Sequence, residues 1–152
     1  MSSYLSKIEC LPKADVTGSP ITALPFQSQI STVVDWAEMR LSKFVCVANV
    51  HMVMECRWDE TFRKILESAD MVTPDGMPLV WVMRVMGIKG QDRVAGMDIF
   101  LETCRQAELK GISVYLLGST QDVLHRMEEQ LQRDFPSLKL AGVESPPFRP
   151  LT

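Results

Sequence analysis

Apolar residues in this chain recur in two rhythms, short unbroken runs and longer stretches spaced three to four residues apart. Phe44-Val45-Cys46-Val47-Ala48, Asp70-Met71-Val72-Thr73, Ser113-Val114-Tyr115-Leu116-Leu117 and Leu138 to Val143 are of the first kind, which suits short buried strands. Ile30, Val33, Val34, Trp36, Ala37 and Leu41 set the helical rhythm over Ser28 to Leu41. It returns over Val50 to Ala69, Met77 to Met86, Met97 to Leu109 and from Thr120 to Arg133. The stretch from Val50 is expected to break near Asp59, where Asp59-Glu60-Thr61 offers a fresh N-terminus with acidic residues in its first turn. Gly87 and Gly111 read as helix stops. Before all this, Pro12, Gly18, Pro20 and Pro25 imply an irregular entry with one short strand or hairpin around Val16 to Leu24.

Strands alternating with helices predict an α/β fold, a mostly parallel sheet flanked by helices, because parallel strands need crossover connections. Residues 1–152 have the length of a single domain. Such sheets bind ligands beyond the carboxyl ends of their strands. Asn49, Asp75 and the turn Gly118-Ser119-Thr120 all fall at such ends.

Composition narrows the classes. With 46% hydrophobic and 23% charged residues the chain reads as a soluble globular domain, and a net charge of -3 argues against a broad basic face for nucleic acid. Cys10, Cys46, Cys56 and Cys104 are widely spaced without a CxxC pair and read as reduced thiols. The start lacks a leader pattern and no run approaches the ~18 apolar residues of a membrane span, so a cytoplasmic protein is expected. No His, Cys, Asp or Glu cluster has metal-ligand spacing and no DxD pair occurs, so a reaction without metal or other cofactor is the simpler expectation.

Asp75, in the turn Thr73-Pro74-Asp75-Gly76, could act as a general base or could simply cap the following helix. Asn49 could bond a sugar hydroxyl or amide, or cap the helix from Val50. Gly118 and Ser119 offer backbone N–H groups and a helix N-terminus to a diphosphate, although glycine turns with a Ser or Thr cap are common. Arg93 could pair with a phosphate or be a solvated loop arginine; Asp98 most simply suits a helix dipole. His51 could be an acid or base but reads more simply as a packed or surface histidine, and His125 is assigned no role. Met52, Met54, Met71, Met77, Met83 and Met86 are expected in the core rather than in an acceptor groove.

The series Ala48-Asn49-Val50-His51-Met52, Ala69-Asp70-Met71-Val72-Thr73-Pro74-Asp75-Gly76-Met77-Pro78-Leu79-Val80-Trp81 and Arg93-Val94-Ala95-Gly96-Met97-Asp98 closely resembles successive motifs of the WecG/TagA/CpsF glycosyltransferases. Leu116-Leu117-Gly118-Ser119 and Gly142-Val143-Glu144-Ser145-Pro146-Pro147-Phe148 resemble further family segments, so the likeness runs from about Gly18 to the end. The resemblance implies a Rossmann-like α/β fold and metal-free, inverting transfer of N-acetylmannosamine or a related hexosamine. The donor would be a UDP-sugar and the acceptor a polyprenyl-diphosphate-linked N-acetylglucosamine at the membrane surface, in cell-surface polysaccharide or teichoic acid synthesis. It implies a cytoplasmic chain, peripheral at the inner face of the membrane, and leaves a homo-oligomer open as a partner state. It matches Asp75 to the aspartate proposed as base and Asn49 to the pocket asparagine. Thr73, Gly76, Arg93, Gly96, Asp98, Gly118 and Ser119 become candidate substrate-binding positions.

Two departures stand out. Many members carry threonine where this chain has Val47, which removes a hydroxyl contact. Members also continue with a GxPKQE-like segment and a basic tail, so the fold is expected to be incomplete relative to the family. Activity is then expected to be weak or absent unless another chain supplies that part, the alternative being an inactive remnant that at most binds UDP or a partner.

Overall fold

The computed structural model describes residues 11–147; Cys10 and Phe148 lie outside the described residues. The chain divides into two compact units, Met1–Phe100 and Leu101–Thr152.

The first unit begins with a hairpin. β1 (Lys13–Val16) and β2 (Ser19–Thr22) pair antiparallel with Val16 opposite Ser19, so Thr17 and Gly18 alone make the turn. Both have positive φ, 53° and 89°, the backbone whose twist suits a two-residue hairpin loop. The Asp15 carboxylate accepts from the Gly18 N–H at 2.6 Å and locks the turn. Ala14, Val16 and Ile21 point into the core. α1 (Phe26–Glu38) buries Ile30, Val34 and Trp36. It stops short of the predicted Leu41 because Arg40 turns left-handed at φ 55° and the Leu41 N–H returns to the Trp36 carbonyl.

β3 (Val45–Ala48), α2 (Val50–Trp58), α3 (Glu60–Ser68) and β4 (Met71–Pro74) make a parallel crossover. The predicted break is real: the Asp59 carboxylate accepts from the N–H groups of Thr61 and Phe62 at 2.8 and 3.1 Å and starts a new helix. β4 is buried along its whole length, as its unbroken apolar run requires. Where β4 meets the hairpin, the Val72 N–H donates to the Thr22 hydroxyl at 2.9 Å. α4 (Met77–Val85) leaves β4 through Asp75 and Gly76, and α5 (Gly96–Lys110) follows the loop from Ile88 to Ala95.

In the second unit β5 (Ser113–Leu117), α6 (Gln121–Asp134) and β6 (Lys139–Glu144) form another parallel crossover. α6 buries Leu124 and Leu131. Gly142 lets the Tyr115 ring lie across β6, since a Cβ there would fall 2.5 Å from the ring, and the Tyr115 hydroxyl bonds Glu144 at 2.9 Å.

Parallel pairs bridged by helices bear out the α/β, Rossmann-like expectation. The strands are hydrogen-bonded as three two-stranded ladders rather than one continuous sheet among the described residues. Two methionine expectations need correction. Met71 and Met83 are core, but Met77 and Met86 are exposed because α4 turns a second apolar side away from its buried one. Cys46, Cys56 and Cys104 are free; burial pushes the Cys46 and Cys104 thiols above their ordinary value, with Cys56 adding to the effect at Cys46.

Candidate functional site

At the carboxyl ends of β3 and β4 the ladder runs on for one more bond, from the Asp75 N–H to the Ala48 carbonyl at 2.9 Å. On the other side of β4 the Val94 N–H donates to the Pro74 carbonyl at 2.9 Å. Arg93 therefore lies alongside Asp75. Its Nε donates to the Asp75 main-chain oxygen at 2.6 Å and its Nη2 to the carboxylate at 3.1 Å. The Asp75 side chain is 29% exposed and that of Arg93 52%, so the pair reaches solvent.

The two readings left open for Asn49 and Asp75 resolve differently. Asn49 does cap α2: its Oδ1 accepts from the Met52 N–H at 3.0 Å, and the residue is exposed. Asp75 caps nothing. Gly76 is the N-cap of α4, and among the described residues no side-chain cap bond is made there. Among the described residues, Arg93 is the partner of the Asp75 carboxylate. Gly76 packs against the start of α2, where an added Cβ would lie 3.8 Å from the Val50 nitrogen and 3.9 Å from the Asn49 Cα. These are ordinary contact distances, and they place the Asp75-Gly76 turn beside the start of α2.

Gly96 plays a similar part beside β3, since a Cβ there would sit 3.4 Å from Val47 Cγ1. The valine standing in place of the family threonine is packed against the start of α5. Asp98 is exposed in the first turn of α5, where the helix dipole favours it. Thr73 is fully buried in β4, and its hydroxyl has no hydrogen-bond partner among the described residues. His51 and His125 lie on the surface with side chains 83% and 72% exposed.

Gly118 and Ser119 belong to the second unit. Both have positive φ, 120° and 61°, but the Gly118 N–H already donates to the Glu144 carbonyl at 2.9 Å and the Ser119 carbonyl accepts from the Ser145 hydroxyl at 2.7 Å. Thr120 is the N-cap of α6 without a side-chain cap bond.

Gln91 was missed in the sequence, where it reads as part of a polar loop. It is 1% exposed; its side-chain NH2 donates to the Leu24 and Asp92 carbonyls, each at 3.0 Å, and its main-chain carbonyl accepts from Arg84 Nε and Nη2 at 3.1 and 2.8 Å. These bonds fix the loop that delivers Arg93. The only available signal was a glutamine among charged neighbours, which carries no burial information. Among the described residues no group of three His, Cys, Asp or Glu could hold a metal ion, and no helix is long and apolar enough to cross a membrane.

A parallel α/β crossover with a carboxylate, a guanidinium and an amide at its strand ends has the arrangement in which α/β enzymes commonly place a ligand. The chain belongs to the glycosyl transferase WecG/TagA/CpsF family, whose model matches residues 14–152. It is 30% identical over 128 residues to an N-acetylglucosaminyldiphosphoundecaprenol N-acetyl-beta-D-mannosaminyltransferase of Bacillus spizizenii, covering 84% of this chain and 48% of the relative. It is 24% identical over 120 residues to the Bacillus subtilis protein of the same name, covering 76% and 47%. A Staphylococcus aureus protein of that name is 22% identical over 98 residues, covering 64% and 39%. The chain thus spans about half or less of the length of these curated relatives.

Proposed function

We propose that this chain works in an inverting glycosyltransferase that moves N-acetylmannosamine or a related hexosamine from a UDP-sugar to a polyprenyl-diphosphate-linked N-acetylglucosamine. The product would feed a cell-surface polymer, and the work would be done at the cytoplasmic face of the membrane. The observation that carries this reading is the state of Asp75: it is absent from the cap of α4, held by its N–H on the Ala48 carbonyl and by its carbonyl on the Arg93 side chain, and open to solvent. The names of the relatives, which specify a mannosaminyl group and a diphosphoundecaprenol acceptor, support the substrate class.

In this reading the Asp75 carboxylate takes the proton of the acceptor hydroxyl as that oxygen bonds the anomeric carbon and UDP departs from the opposite face. The Arg93 guanidinium exchanges its bond to Asp75 for the donor diphosphate, a geometry a planar fork favours. The free amide of Asn49 meets a sugar oxygen. Gly76 and Gly96 lie beside the ends of β4 and β3, in contact with the start of α2 and with Val47, where they can present main-chain groups to the substrate. In the second unit, Gly118 and Ser119 shape a turn at the N-terminus of α6 where an anion is favoured.

The test is UDP release from UDP-N-acetylmannosamine with and without a short-lipid diphosphate N-acetylglucosamine. Acceptor-dependent release should fall by ~10²–10⁴-fold in Asp75→Asn. Equal release by Asp75→Asn would remove Asp75 from the chemistry. A folded chain that binds UDP but transfers nothing would instead favour a non-catalytic binding role.

A further inference from the structure

Two buried glutamines meet on one carbonyl. Gln29 of α1 and Gln91 of the loop before Arg93 are each 1% exposed, and their side-chain NH2 groups both donate to the Leu24 main-chain oxygen, at 2.7 and 3.0 Å. Gln91 Nε2 also donates to the Asp92 carbonyl at 3.0 Å, so a flipped amide would press its oxygen against two others. Chemistry thus settles its orientation, and Oε1 is left buried without a partner among the described residues. An unmet buried oxygen lowers stability. The fold has little other need of this amide: Leu24 keeps its bond from Gln29, and Asp92 is an exposed residue whose carbonyl has water as an alternative. A polar side chain kept in the interior at a loss to stability is expected where function requires it.

The amide holds a short segment of chain in place. Arg84, in the last turn of α4, gives Nε and Nη2 to the Gln91 main-chain carbonyl at 3.1 and 2.8 Å. The next carboxylate, Asp92 Oδ2, accepts from the Phe26 N–H at 3.3 Å, so Gln91 and Asp92 are both moored to the chain that enters α1. On the far side of Arg93 the Val94 N–H is bonded to the Pro74 carbonyl at 2.9 Å. Arg93 therefore stands between two fixed points, and from there its guanidinium reaches the Asp75 main-chain oxygen at 2.6 Å and the carboxylate at 3.1 Å. A long, half-exposed side chain has many rotamers open to it, and its aim is only as good as the backbone that carries it.

We infer that Gln91 is a positioning residue: through its side-chain amide it sets the place of the Arg93 guanidinium beside Asp75. Its bearing on sugar transfer rests on the transferase reading, in which Arg93 leaves Asp75 for the donor diphosphate. A guanidinium already aimed at that spot meets the diphosphate without a search among rotamers. Loss of the amide is then felt in donor binding before it is felt in the fold.

The side-chain Nε–H of Arg93 is followed by nitrogen-15 NMR in the full chain and assigned by its disappearance in Arg93→Lys. In the wild type a resolved signal is expected, protected from exchange with water by its bond to Asp75. Gln91→Met keeps the length of the side chain and removes the amide; it should merge that signal with those of the freely exchanging arginines while the urea midpoint stays near the wild-type value. In transfer assays the same variant should raise the KM for UDP-N-acetylmannosamine by on the order of tenfold with a smaller change in kcat, and should add little to the effect of Arg93→Lys. Arg84→Met alters an exposed residue and removes both bonds to the Gln91 carbonyl, so it should shift the signal in the same direction, and it decides the matter if Gln91→Met does not fold. An Arg93 signal unmoved in the folded variants, one that exchanges freely already in the wild type, or a donor KM effect that adds in full to that of Arg93→Lys overturns the inference. If the wild type transfers nothing but Gln91→Met still loses the Arg93 signal, the transferase reading falls and the positioning stands.

Discussion

Position 73 holds a hydroxyl that the fold does not use. Thr73 Oγ1 is buried without a partner among the described residues, beside the strand end that carries Asp75. An unmet buried hydroxyl typically costs ~1–3 kcal/mol, whereas an apolar group of the same shape costs nothing there. Thr73→Val should therefore leave stability in urea unchanged or raise it by about 1 kcal/mol. A clear loss would mean that the hydroxyl has a partner in solution. At this scale the sequence is least decisive. Asn49 and Asp75 look alike on paper, each a polar residue between a strand and a helix. Capping depends on an offset of one residue: Asn49 directly precedes its helix, while Gly76 stands between Asp75 and the next. Only backbone geometry separates the two.

Among the elements, β3 and β4 are tied at their amino ends as firmly as at their carboxyl ends. The Asp70 carboxylate accepts from Lys43 Nζ at 2.9 Å and from the Phe44 N–H at 3.0 Å, and the Asp70 N–H donates to the Phe44 carbonyl at 3.2 Å. Partial burial works to raise the Asp70 pKa, but the Lys43 and Phe44 hydrogen bonds outweigh it and hold the carboxyl below its ordinary value of 3.8. A depressed carboxylate stabilises the fold above its unfolded pKa and loses that contribution as pH falls through the folded one. Asp70→Asn should thus cost about 1 kcal/mol at neutral pH, and the difference from wild type should shrink below pH about 4 in urea titrations across pH. A difference independent of pH would sink this account. Element positions were largely legible because the apolar rhythm and the caps agree, as at Asp59. What the rhythm could not say is which side of α4 would find cover, because an all-apolar helix has no polar face to mark solvent.

For the molecule as a whole, the α/β class was readable from alternation alone, whereas the pairing of strands depends on contacts remote in sequence that no local pattern encodes. Global opening can be followed through Cys104, which is 1% exposed and whose thiol burial pushes up. Alkylation at Cys104, mapped by mass spectrometry, should be slow in the native chain and rise steeply through the urea transition. Fast native labelling would show that α5 opens independently. The doubly bonded peptide at Asp75 carries a consequence for any reaction at this site. Its N–H is bound to Ala48 and its carbonyl to Arg93, so the Cα that bears the carboxylate has little freedom left. The orientational entropy that a loosely held base would surrender on meeting an acceptor is given up here when the chain folds, so productive encounters need to fix only the sugar.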